Sequence, residues 1–531
     1  MSDKTNAVTP QEKNVKDSLM RTKRGSRNAY PSIIVVGAGF GGITLALRLK
    51  RFGFKNILIV EKGDGVGGVW RENTYPGAAC DVPSPLYSIS SAPNRAWSRR
   101  YAEQNEILSY LRRVAEQHEL QQMLRTHTEV AEAVFDESTN KWRLTTTTHE
   151  TLECDIFISA VGQLSRPSVP AIAGISSFKG PAFHSAQWDH GLELRGKRIA
   201  VIGTGASAIQ FVPILAETAK QLVVFQRSAP WVLPKFDQVY SRRHQRLWQT
   251  IPILRLSERL TVWIVFELLA LALVDAKPIG RLLEAVARVH LRRGVPDKSL
   301  RSLLTPDYTP GCKRVLFSND YYRAIGRSNV SLETGAIAAV EPDGIRTVDG
   351  QVHAADVIVY GTGFSASEFL SPMKIYGRGG RALSDVWADV ARAYYGVAVP
   401  DFPNFFMMYG PNTNVGSGSI VYMLEAQAKH IVALLSRFVT DPHQAIEVRP
   451  AVEERFNRRL RHRLEKSVWT LCASWYRSER GSIPTNWPGP TFWYRLGTRR
   501  PSLDAYLVSK PATVATRDER FEEVDARGER L

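Results

Sequence analysis

The stretch Ser32-Ile-Ile-Val-Val36-Gly37-Ala-Gly39-Phe-Gly-Gly42 joins a short apolar run to three glycines spaced as G-x-G-x-x-G. The apolar run predicts a buried parallel strand, and the residues that follow, up to Lys50, predict a helix. Gly37 permits the tight turn, Gly39 lets a pyrophosphate approach the backbone, and Gly42 lets helix and strand pack closely. Because the helix N-terminus would face the phosphates, the stretch predicts a dinucleotide-binding βαβ unit.

An acidic residue ends the next apolar run of this unit. Ile57–Val60 leads directly to Glu61, and a carboxylate at that position accepts hydrogen bonds from ribose hydroxyls. This favours an adenine dinucleotide without a 2′-phosphate, meaning FAD or NAD. The apolar run within residues 155–162 predicts the strand that closes the unit.

The same pattern starts again in the middle of the chain. Arg198–Ile202 predicts a strand, and Gly203-Thr204-Gly205-Ala-Ser207-Ala208 gives G-x-G-x-x-A before a helix. Arg227 lies 24 residues after Gly203, just as Glu61 lies 24 residues after Gly37. An arginine in that position suits a 2′-phosphate and favours NADPH, although it could also be an ordinary surface arginine.

Two copies of one architecture predict an α/β fold with two Rossmann-like dinucleotide-binding domains. This is the plan of a flavoprotein that binds two dinucleotides. Residues 239–295 interrupt the second copy, and their composition predicts a helical insertion.

The net charge and the cysteine content indicate which binding partners and which cellular compartment to expect. The 531 residues carry a formal charge of +17, which indicates a basic surface or attraction for a polyanion such as NADPH. No nucleic-acid motif accompanies the charge, so nucleic acid is a weaker interpretation. The four cysteines form no closely spaced pair, so neither a zinc site nor a redox disulfide is indicated, and we expect no metal. Their scatter is typical of a reducing cytoplasm.

The apolar run Leu260–Val274 has two possible interpretations, a core helix and a membrane anchor. It is about fifteen residues long, whereas a membrane span needs about twenty, and it contains Glu267. We therefore predict a buried or interfacial helix and no stable membrane span.

Two longer motifs resemble the signatures of one enzyme family. Phe178-Lys-Gly-Pro-Ala-Phe-His184-Ser-Ala-Gln-Trp188-Asp189 follows the pattern F-x-G-x-x-x-H-x-x-x-W. Residues 67–81 follow G-G-x-W-x-x-x-x-Y-P-G-x-x-x-D. Both resemble the type I Baeyer–Villiger monooxygenases, which are flavoenzymes that convert ketones to esters. The resemblance covers roughly residues 30–505.

The resemblance implies a set of site residues. Arg314, with Asp81 to orient it, would be catalytic. Contacts with FAD or NADPH would come from the two glycine motifs and Glu61 together with residues that match the family: Gly68, Val69, Trp70, Asp81, Tyr87, Val130, Thr204, Ser207, Arg227, Ser228, Lys313, Arg314, Asn412 and Trp475.

The implied reaction consumes NADPH and O₂ and gives an ester or lactone through a flavin C4a-peroxide. Arg314 would stabilise the negative charge, because a guanidinium stays charged at any working pH. The alternatives are a flavin monooxygenase that oxidises nitrogen or sulfur and a non-catalytic basic binding protein. A disulfide reductase would need a cysteine pair after the first glycine motif. Ser478–Pro488 departs from the pattern of the cyclohexanone-type enzymes, so the ketone stays open, as does the oligomeric state.

The motifs also predict the domain boundaries. We expect a mobile N-terminal tail without a secretory signal, two nucleotide-binding domains joined by a linker, and a late return to the flavin. The predicted ranges are a tail at 1–29, an FAD domain at 30–165, a linker at 166–196, an NADPH domain at 197–364, an FAD return at 365–505 and a charged tail at 506–531. We predict that His184 in the linker acts in a hinge, with acid–base catalysis as the alternative.

Overall fold

The computed structural model describes residues 30–275, 277–437, 444–478 and 480–510. The predicted tail at 1–29 therefore lies outside the described residues, as does most of the tail predicted at 506–531. The strands are β1 (Ile33–Val36), β2 (Ile57–Val60), β3 (Leu124–Arg125), β4 (Val130–Asp136), β5 (Lys141–Thr146), β6 (Thr151–Cys154), β7 (Ile156–Ser159), β8 (Ala182–His184), β9 (Arg198–Ile202), β10 (Gln221–Phe225), β11 (Val232–Leu233), β12 (Leu316–Phe317), β13 (Val330–Glu333), β14 (Ile337–Glu341), β15 (Gly344–Thr347), β16 (Val352–Ala354), β17 (Val357–Tyr360), β18 (Lys374–Tyr376), β19 (Phe405–Met407), β20 (Ala445–Val448) and β21 (Tyr506–Ser509). The α-helices are α1 (Phe40–Phe52), α2 (Val69–Glu72), α3 (Gln104–Gln117), α4 (Ala208–Thr218), α5 (Arg242–Thr250), α6 (Pro252–Asp275), α7 (Lys277–Gly294), α8 (Lys298–Leu303), α9 (Tyr321–Ile325), α10 (Leu383–Val386), α11 (Ile420–Arg437), α12 (Pro450–Glu465) and α13 (Thr491–Thr498).

The first nucleotide unit is a five-stranded parallel sheet in the order β19-β7-β1-β2-β3. The predicted closing strand is confirmed, because β7 pairs with β1 over its full length. All four residues of β1 are buried, and α1 covers the sheet with a mostly buried face. An apolar run bounded by a glycine turn folds this way because only a parallel strand covered on both faces buries every side chain.

The second unit repeats the plan as a parallel sheet in the order β13-β10-β9-β17-β8. Its edge strand β8 comes from the stretch that was predicted to be a linker. Ala182–His184 pairs with Ile358–Tyr360 of β17, and Trp188 is buried in the core of this unit. The family fingerprint is thus part of the second sheet.

Three helices, α5 to α7, lie within residues 239–295, the range for which a helical insertion was predicted. Leu260–Val274 lies within α6. Among the described residues, no helix is long and apolar enough to cross a membrane.

The end of the described chain differs from the predicted tail. Residues 506–509 form β21, which pairs antiparallel with β20, and Tyr506 is buried. The sequence did not indicate this short strand, because residues 506–531 are rich in charge and only the first three of them form an apolar run.

Candidate functional site

A cavity of 240 Å³ opens at the carboxyl ends of β1, β2 and β7. Seven of the residues predicted to contact FAD or NADPH line it: Gly37, Gly39, Glu61, Gly68, Val69, Tyr87 and Val130. Trp70 lies behind this wall, where its indole Nε1 donates a hydrogen bond to the Tyr87 hydroxyl at 3.0 Å. Ligands of α/β sheets bind at this end of the strands.

Equivalent glycines shape the turn after the first strand of each unit. Gly37 has φ of 109° and Gly203 has φ of 107°, a region that side chains rarely adopt. A Cβ at Gly37 would lie 2.6 Å from the Ala160 carbonyl oxygen, and one at Gly203 would lie 2.5 Å from that of Gly361. Both turns therefore require glycine for the same two reasons.

The helix after the first turn packs closely against that turn at Gly42, as predicted. A Cβ at Gly42 would lie 1.9 Å from the Gly37 carbonyl oxygen. Gly39 faces Gly68, and a Cβ there would lie 3.6 Å from the Gly68 Cα. The first turn is thus lined by backbone, which suits a pyrophosphate.

Glu61 is buried in the cavity wall, and its carboxylate is held by the surrounding backbone. Its Oε2 accepts from the Ala38 amide at 2.8 Å, and its Oε1 accepts from the Gly63 amide at 2.9 Å and from Arg71 Nη2 at 3.0 Å. A carboxylate has about four acceptor positions, so capacity for a ribose hydroxyl remains.

Gln163 is a cavity residue that the motifs did not identify. Its Nε2 donates to the Tyr409 carbonyl at 3.0 Å, while its buried Oε1 has no partner among the described residues. A buried acceptor without a partner is costly, so a ligand that donates a hydrogen bond suits this position. With the backbone-lined turn and Glu61, this wall fits FAD.

Arg314 and Asp81 form an ion pair near the cavity. Arg314 Nε and Nη2 both donate to Asp81 Oδ2, at 2.9 and 2.6 Å. The Asp81 charge raises the pKa of Arg314 above its ordinary value, against the opposing effect of burial. The structure brings together residues that lie 233 positions apart.

Two tyrosines lie next to the Arg314 guanidinium, the buried Tyr476 and the half-buried Tyr409. Burial raises the pKa of Tyr409 and of Tyr476, and the neighbouring Arg314 cation opposes both rises. Both hydroxyls therefore stay neutral at working pH. Tyr409 also lines the cavity, so it connects the ion pair to the flavin side.

A basic cluster follows the second glycine motif. Lys313 Nζ donates to Ser228 Oγ at 2.8 Å, and Thr204 Oγ1 donates to the Ser228 carbonyl at 3.3 Å. Burial lowers the pKa of Lys313, and the nearby Arg227 cation lowers it further. Two cations and a hydroxyl held together suit a phosphate that carries two negative charges.

The other predicted residues occupy more varied positions. Ser207 precedes α4, Ala208 is fully buried, and Gly205 lies between Gly203 and the helix. Asn412 does not line the cavity, because its Nδ2 donates to the carbonyls of Ile483 and Asn486. The Trp475 side chain is 42% exposed, and its ring centroid lies 4.4 Å from that of Tyr476.

Known proteins share this geometry. Residues 34–252, which contain both glycine motifs, match the family model described as pyridine nucleotide-disulphide oxidoreductase. A Baeyer–Villiger monooxygenase of Pseudomonas aeruginosa is 38% identical over 92% of this chain and 93% of its own length. The chain belongs to the Baeyer–Villiger monooxygenases. An oxidised steroid monooxygenase bound to NADP has a TM-score of 0.81 and 30% identity, over 91% of this chain and all of its own. OTEMO in complex with FAD and NADP has a TM-score of 0.81 and 29% identity, over the same shares of the two chains.

The family membership confirms the predicted activity class and cofactors. This Baeyer–Villiger monooxygenase is an NADPH-dependent flavoenzyme with FAD, and oxidation of nitrogen or sulfur is not favoured. The two-dinucleotide α/β fold is confirmed as well.

One amide side chain joins the two nucleotide units of the monooxygenase. Gln210 on α4 accepts from the Tyr75 hydroxyl at 3.0 Å and from the Ala79 amide at 3.2 Å through its Oε1. Its Nε2 donates to the Ala79 carbonyl at 3.0 Å. The signature loop at residues 67–81 thus contacts the second unit, a role that its glycines and prolines did not reveal.

A disulfide corrects the expectation drawn from the cysteine spacing. Cys312 and Cys472 are bonded, although 160 residues separate them in sequence. Cys312 directly precedes Lys313 and Arg314, and Cys472 lies three residues before Trp475. The expectation was wrong because it rested on cysteines that are close together in sequence, whereas folding brings two distant loops of the monooxygenase together.

His184 is buried at the end of β8. Its Nδ1 accepts from the Ala186 amide at 3.1 Å, and its ring lies 5.5 Å from that of Phe364. Burial lowers the pKa of His184, and the nearby Gly363 backbone partly offsets the decrease. The histidine therefore contacts the segment that follows β17.

Proposed function

We propose that this chain inserts one oxygen atom next to the carbonyl of a small ketone and that Arg314, oriented by Asp81, is the catalytic cation. The observation that carries the proposal is the pair of hydrogen bonds from Arg314 to one oxygen of Asp81, beside the cavity residue Tyr409. FAD, when bound, would take up two electrons from NADPH and use them to activate O₂.

Arg314 suits this role because it stabilises negative charge without giving up a proton. Attack on a ketone places negative charge on its oxygen, and a fixed cation there is typically worth roughly 10² to 10³ in rate. The Asp81 charge keeps Arg314 protonated and fixes the plane of its guanidinium. Tyr476 is buried beside the pair and Tyr409 is half-buried there, so the two side chains limit the room for water.

We further propose that Arg227, Ser228 and Lys313 bind the 2′-phosphate of NADPH. Their support is the contact between Lys313 and Ser228, together with the nearby Arg227 cation, which lowers the pKa of Lys313 after the larger effect of burial. His184 is proposed as part of the hinge between the two units, since it lies where β8 meets the segment after β17.

The cytoplasm is the compartment that we propose, because it supplies NADPH. Cytoplasmic disulfides are usually transient and redox-sensing, so this proposal requires the Cys312–Cys472 disulfide to be of that kind.

The test is product analysis with a panel of cyclic and linear ketones and one thioether. Wild-type protein should give esters or lactones, identified by mass spectrometry. Arg314→Ala should still be reduced by NADPH yet lose ester formation by about 10² to 10³. Arg323→Ala removes an exposed arginine elsewhere and is the matched control. Ester formation at the wild-type rate by Arg314→Ala would falsify the role of Arg314.

A further inference from the structure

Helix α6 carries its apolar residues on the outside. Between positions 253 and 271 every exposed residue is uncharged, and apart from Ser257 and Thr261 all are aliphatic. We call these aliphatic residues the outer face of α6: Ile253, Leu254, Leu256, Leu260, Ile264, Val265, Leu268 and Leu271. At 1.5 Å per residue the face is about 27 Å long. An exposed apolar patch of this kind marks an interaction site.

Three charged residues of the same helix, Glu258, Arg259 and Glu267, point inward, where each has a partner. Glu258 Oε1 accepts from the Tyr240 hydroxyl at 2.9 Å, and Arg259 Nη1 donates to the Pro85 carbonyl at 2.8 Å. Glu267 is buried and accepts from the Thr491 amide at 3.2 Å and the Phe492 amide at 3.3 Å. Val262, Trp263 and Phe266 pack against the core of the first unit. The helix is therefore firmly anchored, and its outer face has no partner within the described residues.

Neighbouring helices carry further exposed apolar side chains and exposed positive charge. Trp493 and Leu496 of α13 are 51% and 56% exposed, and Leu282 of α7 is 63% exposed. Helices α5, α7 and α13 all contact α6. They and the residues just after α13 carry exposed arginines: Arg242, Arg243, Arg246, Arg281, Arg288, Arg292, Arg293, Arg495, Arg499 and Arg500. Residues 241–295 contain ten Lys and Arg against four Asp and Glu.

We propose that the outer face of α6 binds the surface of an anionic lipid bilayer, with the helix lying in the plane of the headgroups. An apolar helix face with exposed arginines on the helices that contact it suits an interfacial helix, because the apolar side chains can enter the acyl boundary while the cations meet anionic headgroups. A second copy of this chain fits less well. Its twofold contact would place the arginines of one copy against those of the other.

The test measures sedimentation of the full-length holoenzyme with two kinds of vesicle, phosphatidylglycerol mixed with phosphatidylcholine and phosphatidylcholine alone. We expect binding to the anionic vesicles, weaker binding to the neutral ones, and loss of the difference at high salt. Leu260→Glu with Leu268→Glu should weaken anionic binding by about tenfold or more, because each carboxylate would enter the acyl boundary. Val348→Glu with Val352→Glu, on exposed valines of a distant sheet, should bind as wild type does.

Three outcomes overturn the proposal. The first is no binding to either vesicle. The second is binding that Leu260→Glu with Leu268→Glu leaves intact. The third is a dimer without vesicles, seen by light scattering, that the same double variant converts to a monomer. Retained FAD and unchanged NADPH oxidation in the double variant show that it has folded.

Discussion

Asp81→Asn separates two ways in which a carboxylate could act on Arg314. If Asp81 orients Arg314, the substitution should impair ester formation. If Asp81 merely reduces the positive charge of the site, the substitution should leave a stronger cation and raise the rate. The sign of the change therefore decides between the two.

The magnitude follows from the geometry of the pair. Both Arg314 hydrogen bonds go to Asp81 Oδ2, so the single amide oxygen of asparagine can accept both. What is lost is the charge on the acceptor, because the Arg314 cation still donates to the neutral amide oxygen. Two unit charges about 4 Å apart near a protein surface attract each other by about 4 kcal/mol, which is an upper bound on the difference between the two acceptors. Because the two side chains are 30% and 23% exposed, solvent reduces the difference, and we expect a total of about 1–2 kcal/mol. This is roughly a five- to thirtyfold decrease in ester formation.

The assay compares two steps of one turnover. Anaerobic mixing with NADPH measures flavin reduction, which should stay within about twofold of wild type because Asp81 does not line the cavity. Aerobic turnover measures ester and hydrogen peroxide per NADPH, and the ratio should shift toward peroxide.

Asp356→Asn is the matched control. Arg198 Nε and Nη2 donate to one oxygen of Asp356 at 3.2 and 2.7 Å, a pair of the same form at the start of β9, at the opposite end of the strand from the glycine turn. It should lower stability without changing the ester yield. An ester yield that rises in Asp81→Asn, or falls equally in both variants, would refute the orienting role.

Three further variants test the other roles. Arg227→Ala should raise the KM for NADPH about tenfold or more while leaving that for NADH unchanged, since only NADPH has the 2′-phosphate; an equal rise in both contradicts the phosphate cluster. His184→Ala should lower the ester formed per NADPH more than the FAD content, and loss of FAD as the main defect argues against the hinge. Cys472→Ser should lower the free energy of unfolding in denaturant by about 2–5 kcal/mol, because the disulfide closes a loop of 160 residues; an unchanged midpoint means that the bond does not form.

Local motifs predicted what depends on neighbouring residues. Each nucleotide motif consists of residues that lie at most a few tens of positions apart in sequence. Spacing alone therefore identifies the turn at Gly37, the strand that leads to Glu61 and the second glycine motif at Gly203. The pairing of Arg314 with Asp81 came from family resemblance, because no spacing rule connects positions 233 apart.

The features that the sequence missed arise from tertiary folding. Gln163, Gln210 and Tyr476 are ordinary polar residues in sequence, and only their tertiary contacts, with the cavity, the flavin loop and Arg314 respectively, make them important. The stretch from Phe178 to Asp189 looked like a linker because its only strand, β8, has three residues and depends on β17 for pairing. Nothing in the local pattern indicates that partner.

The contacts of Gln210 have a mechanical consequence. Three hydrogen bonds join its amide to Tyr75 and Ala79, at one point between the two nucleotide units. A rotation that keeps these bonds must pivot near Gln210, so displacement grows with distance from it, as along a lever from its fulcrum. Helix α4 would then stay in register with the flavin loop, while the parts of the second unit that lie farthest from Gln210 would travel furthest.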